Sequence, residues 1–142
     1  MPMLKIALTL GILAFSASAG ASVDTSPKPG GVYRLKPGIY VQKDVACGSA
    51  PNAAIRRYDR VGISDAHTRE CRARILSKHG DRHEVSQSCI NAGAGPAPRV
   101  VERQVVTISD ALTFTMRTRG NGTTYRYCPT YMLPVGLRNI AR

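Results

Sequence analysis

The 142-residue chain predicts a mainly β fold: a small antiparallel barrel or sandwich of about seven short strands, stabilised by disulfides. Three observations carry that expectation. Apolar and polar residues alternate over short runs cut by Gly and Pro, of which there are 13 and 9, and no window has the longer period of an ordinary helix. Four cysteines form an even set in a short chain. Apolar residues at 43% and charged residues at 20% suit a folded domain and exclude a disordered basic tail. The length fits one domain and excludes a multidomain enzyme or a full doubly wound nucleotide-binding fold.

Residues 1–21 read as a signal peptide. Lys5 precedes the apolar run 6–15, and Ala17-Ser18-Ala19 fits the small-x-small cleavage rule, with Ala19-Gly20-Ala21 next. The run is about ten residues, well short of the roughly 20 that a membrane-spanning helix needs. No Cys follows it to carry a lipid anchor, and no transmembrane segment is expected. The mature chain is therefore expected to be periplasmic or secreted, cleaved near Ala19 or Ala21. Residues 22–31, SVDTSPKPGG, read as a flexible leader, and residues 32–142 as a single β domain.

Within that domain, residues 32–35 and 38–41 are β-prone runs broken at Pro37. Residues 48–52 form a loop. Residues 55–58 read as a strand cut short by Asp59 and Gly62, with a short helix opened by Pro51 as the alternative. Residues 71–89 read as a hairpin centred on Gly80, so that Ile75 faces Val85 and Cys71 faces Cys89. Directly opposed residues come within disulfide range, which favours Cys71–Cys89 and leaves Cys47–Cys128. Residues 91–98 are a loop by composition. Residues 100–108 and 112–118 read as paired strands joined through residues 109–111. Asn121-Gly122 signals a tight hairpin turn, which puts Thr118 opposite Tyr125 and Met116 opposite Tyr127. Phe114, Met116, Tyr125 and Tyr127 then share a core face, with Arg117 opposite Arg126 on the other. Cys128 falls on the Arg face, so an inward-bonded Cys128 would require a register shifted by one.

Basic residues number 20 against 9 acidic, for a net charge of +11; 15 are Arg and 5 are Lys. Beyond residue 21 the charge is +10. Arg presents a planar fork suited to phosphate and carboxylate. Two groups stand out. Arg56, Arg57, Arg60, Arg69, Arg72 and Arg74 lie close in sequence, and Arg117, Arg119 and Arg126 share a predicted face. Arg56, Arg57, Arg72, Arg74, Arg117 and Arg126 are the anion-binding candidates. In an exported protein the available partners are an anionic envelope component or an envelope protein; the simpler account is solvated strand faces and edge protection. Specific nucleic-acid binding is disfavoured, because stacking platforms need exposed aromatics and only Tyr58 lies in the first group.

Catalytic motifs are absent. Asp59, Asp65, Asp81 and Asp110 sit in expected turns, where Asp belongs for backbone reasons. Ser64, Asp65 and His67 lie together and offer an extracytoplasmic hydrolase as an alternative, but no Gly-x-Ser-x-Gly elbow is present. The segment 93–96 lacks the Lys and the helix of a phosphate loop, and no cofactor is expected. His67-x-x-x-Cys71 and His79-x-x-x-His83, with Cys89, supply zinc-ligand types. There is no Cys-x-x-Cys, however, and exported thiols oxidise, so no metal is expected. Asn121-Gly122-Thr123 matches a glycosylation sequon that the turn already explains. The expectation is an exported β domain that binds or supports rather than catalyses.

Gly38-x-Tyr40, Cys47, Pro51-Asn52-Ala53-Ala54, Tyr58-Asp59-x-x-Gly62-Ile63, the Cys71 to Cys89 hairpin and Tyr125-Arg126-Tyr127-Cys128 together resemble a group of small exported bacterial proteins with no assigned activity. The resemblance covers residues 32–128 and implies an extracytoplasmic protein, with no catalytic residue to carry over. That group has Gly where Arg60 stands here. Size, leader and cysteine pattern are also similar in outline to periplasmic lysozyme inhibitors, which makes an inhibitor of an envelope enzyme a further alternative. The loop motifs of those inhibitors are missing, and basic lysozymes would repel a basic partner.

Overall fold

The alternation of the sequence is realised as a single antiparallel sheet curled on itself. The computed structural model describes residues 27–91 and 95–141; the expected signal peptide, most of the leader and the centre of the 91–98 loop lie outside them. The strands are β1 (Gly38–Gln42), β2 (Ile55–Tyr58), β3 (Ile63–Ser64), β4 (Thr68–His79), β5 (Arg82–Asn91), β6 (Arg99–Asp110), β7 (Thr113–Arg117) and β8 (Thr123–Cys128). Their order is β3-β2-β1-β8-β7-β6-β5-β4. The chain therefore meanders from neighbour to neighbour, and the first strand pairs with the last. The result is an eight-stranded, nearly closed barrel.

The remaining seam, between β3 and β4, is bridged by unlike means. The Ala73 N–H donates to the Val61 carbonyl at 2.9 Å. Gly62 lies so close to β4 that a Cβ there would meet the Cys71 carbonyl oxygen at 2.4 Å, so only glycine permits the approach. From inside, the Gln87 carboxamide accepts the Ile63 N–H at 2.9 Å and donates to the Ile63 carbonyl at 2.8 Å. It thereby completes the ladder that the two-residue strand β3 lacks.

Inside the barrel, Tyr40, Tyr58, Ile63, Val85, Val106, Ile108, Phe114 and Tyr125 form the main core. Phe114 stacks on Tyr125 at 5.2 Å and meets Tyr40 edge-on, also at 5.2 Å. Residues 32–35, expected as a strand, are not one. Tyr33 and Leu35 instead turn into the barrel end and are fully buried. The backbone there is satisfied without a ladder: the Tyr33 N–H donates to the Tyr58 hydroxyl at 3.0 Å, and the Val32 N–H to the Arg60 carbonyl at 2.8 Å. The described end of the expected leader is held as well, since the Arg60 Nη2 donates to the Lys28 carbonyl at 2.9 Å. Arg60 itself has φ 78°, the left-handed conformation glycine favours. The Asp59 carboxylate closes this turn by accepting the Val61 and Gly62 N–H groups at 3.0 Å.

A second, smaller core lies outside the barrel wall. Ile39 and Val41 point outward from β1 and pack with Cys47, Ile55, Cys128, Leu133 and Ala141, covered by the turn Thr130–Met132 and the helix α1 (Val135–Arg138). Cys128 thus lies on the Arg126 face of β8 and is still completely buried. No shift by one residue is needed, because this face is covered rather than solvated.

Both expected disulfides are present, Cys47–Cys128 and Cys71–Cys89. The expected partners across β7 and β8 are corrected. Phe114 opposes Tyr125 and Met116 opposes Thr123, so Asn121-Gly122 belongs to a longer connection, residues 118–122, and Arg117 does not face Arg126. Packing of Phe114 on Tyr125 outweighs the local turn preference.

Burial raises the Tyr33 and Tyr40 hydroxyls well above their ordinary value of 10.0, with the neighbouring Tyr58 and Tyr127 respectively adding to the effect. The native state keeps these protons while the unfolded chain releases them near pH 10, so stability is complete below that pH and falls above it. Each tyrosine contributes a loss of about 1.4 kcal/mol per pH unit. Denaturant midpoints measured from about pH 9 to 12 should decline accordingly; a flat profile would show that both phenols titrate normally in the fold.

Candidate functional site

The anion-binding candidates divide by strand parity, because successive side chains point to opposite faces. Arg56 and Arg57, adjacent in sequence, part company. Arg56 opposes the inward Tyr40 and enters the barrel, with its guanidinium 4.9 Å from the centre of the Tyr125 ring. Arg57 faces outward, half-buried. Arg126 is a structural group: its Nε and Nη2 donate to the Lys43 and Val45 carbonyls at 3.1 and 2.7 Å, and its Nη1 lies 3.3 Å from the Cys47 sulfur. It anchors the loop that carries the Cys47–Cys128 bridge.

Arg72, Arg74 and Arg117 do share a surface, the outer face of β4 to β7. The register aligns Arg74, Ser86 and Arg103 in one row across β4, β5 and β6, with Arg72, Ser88 and Val101 in the next. Arg117 stands beside Val105. Strands spaced about 4.8 Å apart place Arg74 and Arg103 roughly 10 Å from each other, with a serine hydroxyl between them. The carboxylates of this face are paired with other arginines: Glu70 with Arg69 and Arg99, and Glu84, which lies in the row of Val105 and Arg117, with Arg82. Arg72, Arg74, Arg103 and Arg117 are exposed, and none has a hydrogen-bond or ion-pair partner among the described residues. Between Arg103 and Arg117 lies a groove of about 240 Å³, edged by Leu76, Val105 and the Arg82-paired Glu84. Local sequence does not single out Arg103. Only the β5–β6 register, which puts it opposite Ser86, reveals its place.

Ser64 and Asp65 line a separate groove of about 200 Å³ between the outer side of β2–β3 and the C-terminal Leu137 and Ile140. The Asp65 Oδ1 accepts the His67 N–H at 2.8 Å and the Thr68 hydroxyl at 3.0 Å, an Asx turn that initiates β4. Among the described residues no hydrogen bond joins Ser64 to His67. The histidines also separate. His83 is buried, with Nδ1 3.0 Å from the Asp81 carbonyl and its ring edge-on to Tyr33, whereas His67 and His79 are exposed. Cys71 and Cys89 are both oxidised, and no cluster of metal-ligating groups occurs among the described residues.

No family model, curated protein or solved structure matches the chain. Its two disulfides are consistent with folding in an oxidising compartment, and no described helix is long and apolar enough to cross a membrane.

Proposed function

We propose that the protein is an exported binding protein of the bacterial envelope, periplasmic or secreted, whose outer β4–β7 face takes an anionic partner. The observation that carries this reading is the group Arg72, Arg74, Arg103 and Arg117: four exposed guanidinium groups on one face, with the nearby carboxylates occupied by other arginines. Guanidinium forks flanked by Ser86 and Ser88 suit phosphate, sulfate or carboxylate groups displayed on a glycan or lipid headgroup.

Retention on a heparin column, measured against salt, tests the reading. Replacing all four arginines by alanine should reduce the log–log salt dependence by about three to four, close to one released counterion for each guanidinium removed. Alanine at Lys28, Arg34, Lys43 and Arg57, which removes the same charge from other surfaces, should change it far less. Equal reductions in the two variants would reduce the patch to net charge alone.

A further inference from the structure

The barrel end opposite the Tyr33–Leu35 plug is polar on its inner side. Arg56, Asp65, Gln87, Glu102, Gln104 and Met116 surround a cavity of about 140 Å³ there, with the Asp65 Oδ1 already accepting from the His67 N–H and the Thr68 hydroxyl. Gln87 has both its oxygen and its nitrogen committed to Ile63, through the two bonds that close the seam. The other two interior polar groups are not so committed. Gln104 is 5% exposed, and its Oε1 is buried without a donor. Arg56 donates from Nη1 to the Ala53 and Ile55 carbonyls at 3.0 and 2.7 Å, while its Nε is buried without an acceptor. The Nη1 bonds leave the Nε/Nη2 edge unspent, with no carboxylate within salt-bridge distance among the described residues. Unmet buried donors and acceptors are costly, so a ligand supplying both partners is favoured over one supplying neither.

We propose that the barrel mouth binds a small carboxylate that also carries a hydroxyl or ammonium donor. Arg56 Nε and Gln104 Oε1 are both enclosed as the side chains stand, so a rotation of each side chain toward the cavity brings the free edge of Arg56 to the carboxylate and Gln104 Oε1 to the donor. Ile63, Met116 and Val100 supply the apolar remainder of the lining. The volume is close to that of a cavity of about 150 Å³ known to admit a ring of six carbons, which limits the ligand to about that many non-hydrogen atoms. Glu102, exposed at the rim, favours an ammonium as the donor over a hydroxyl and disfavours polyanions. This site is therefore distinct in chemistry and position from the outer arginine face.

Propionate, lactate and alanine form a near-isosteric series that separates these contributions. In isotope-labelled protein, the Arg56 Nε–H resonance should shift saturably with lactate or alanine, with apparent Kd about 1 mM, and propionate should bind about tenfold more weakly because Gln104 stays unpaired. Arg56→Lys keeps the charge and loses the fork, and should weaken all three about tenfold. Gln104→Leu should abolish the advantage of lactate and alanine over propionate. Glu102→Gln should weaken alanine only, which separates the ammonium from the hydroxyl class. Absence of a saturable Arg56 shift with all three compounds overturns the proposal, as does equal affinity for all three in the unaltered protein. Alanine at Arg72, Arg74, Arg103 and Arg117 should leave these shifts intact, so failure of the outer-face reading and failure of this one are separable.

Discussion

Replacing Cys47 and Cys128 by alanine is expected to lower the unfolding free energy by about 4 to 5 kcal/mol, against about 3 kcal/mol for the same change at Cys71 and Cys89. The difference comes from the loops closed. The first bridge joins residues 81 apart in sequence and the second residues 18 apart, and the longer cross-link removes more freedom from the unfolded chain. For a domain of this size the larger loss corresponds to a melting temperature lower by about 15 to 20 °C. Native context adds to it. Cys47 and Cys128 are buried in the outer core beside Ile39, Val41 and Leu133, and the Lys43 to Cys47 loop is otherwise held by the donors of Arg126 and by the Lys43 and Val45 N–H bonds to Thr124 and Gln42. Thermal unfolding of the two double variants, each with the other bridge intact, checks the ranking. A greater loss from the Cys71–Cys89 change would mean that loop closure does not govern these bridges.

The two bridges also show where local sequence is sufficient. Cys71 and Cys89 can be paired by local reasoning because Gly80 marks the turn and the two cysteines stand equidistant from it in sequence. The structure reaches the same pairing by a less direct route. His79 opposes Arg82 across a two-residue turn, a register that would put Cys71 one residue out of step with Cys89, and an irregularity between Ile75 and Ser77 restores Ile75 opposite Val85. The break in alternation at Ile75-Leu76 marks the place, and the register beyond it coincides with the one centred on Gly80. At β7 and β8 the reverse holds. Asn121-Gly122 is a strong turn signal, but the pairing lies four residues from the one it implies. An even displacement preserves which side chains face inward, so the core placement of Phe114 and Tyr125 holds even though their expected partners do not.

The candidate site is less legible, for a geometric reason. Closeness in sequence makes Arg56, Arg57, Arg72 and Arg74 look like one group, whereas strand parity sends Arg56 inside, and Arg57 lines the separate groove with Ser64, Arg69 and Glu70 at the start of β4. Arg103 joins Arg74 only through β5, a relationship between distant residues that no local window contains. The outer core does leave a signal. Ile39-Tyr40-Val41 is apolar without alternation, the pattern of a strand covered on both faces, and it accounts for the burial of Cys128 on the same side as Arg126.

Gln87→Leu should destabilise the fold by about 2 to 4 kcal/mol although it keeps the side chain's bulk. The carboxamide pairs with both the N–H and the carbonyl of Ile63 on the side facing β5, and Ile63 is 2% exposed. Two buried backbone groups would lose their partners at about 1 to 3 kcal/mol each, offset in part by the gain of an apolar side chain. The loss should be local before it is global, with the Ile63 amide exchanging with solvent faster than amides of β5 and β6. Gln87→Glu separates the two bonds. A carboxylate accepts from the Ile63 N–H but cannot donate to the Ile63 carbonyl, so this variant should also be destabilised at neutral pH. Burial and the carbonyl both raise the pKa of the new carboxyl in the folded state above its unfolded value. Its stability should therefore recover as pH falls through the folded-state pKa, when the protonated carboxyl regains a donor. Chemical unfolding of both variants at neutral and mildly acidic pH provides the comparison. Recovery in Glu and none in Leu identifies the donated bond as part of the seam's closure, whereas parallel behaviour of the two would assign the seam to Val61, Gly62 and Ala73 alone.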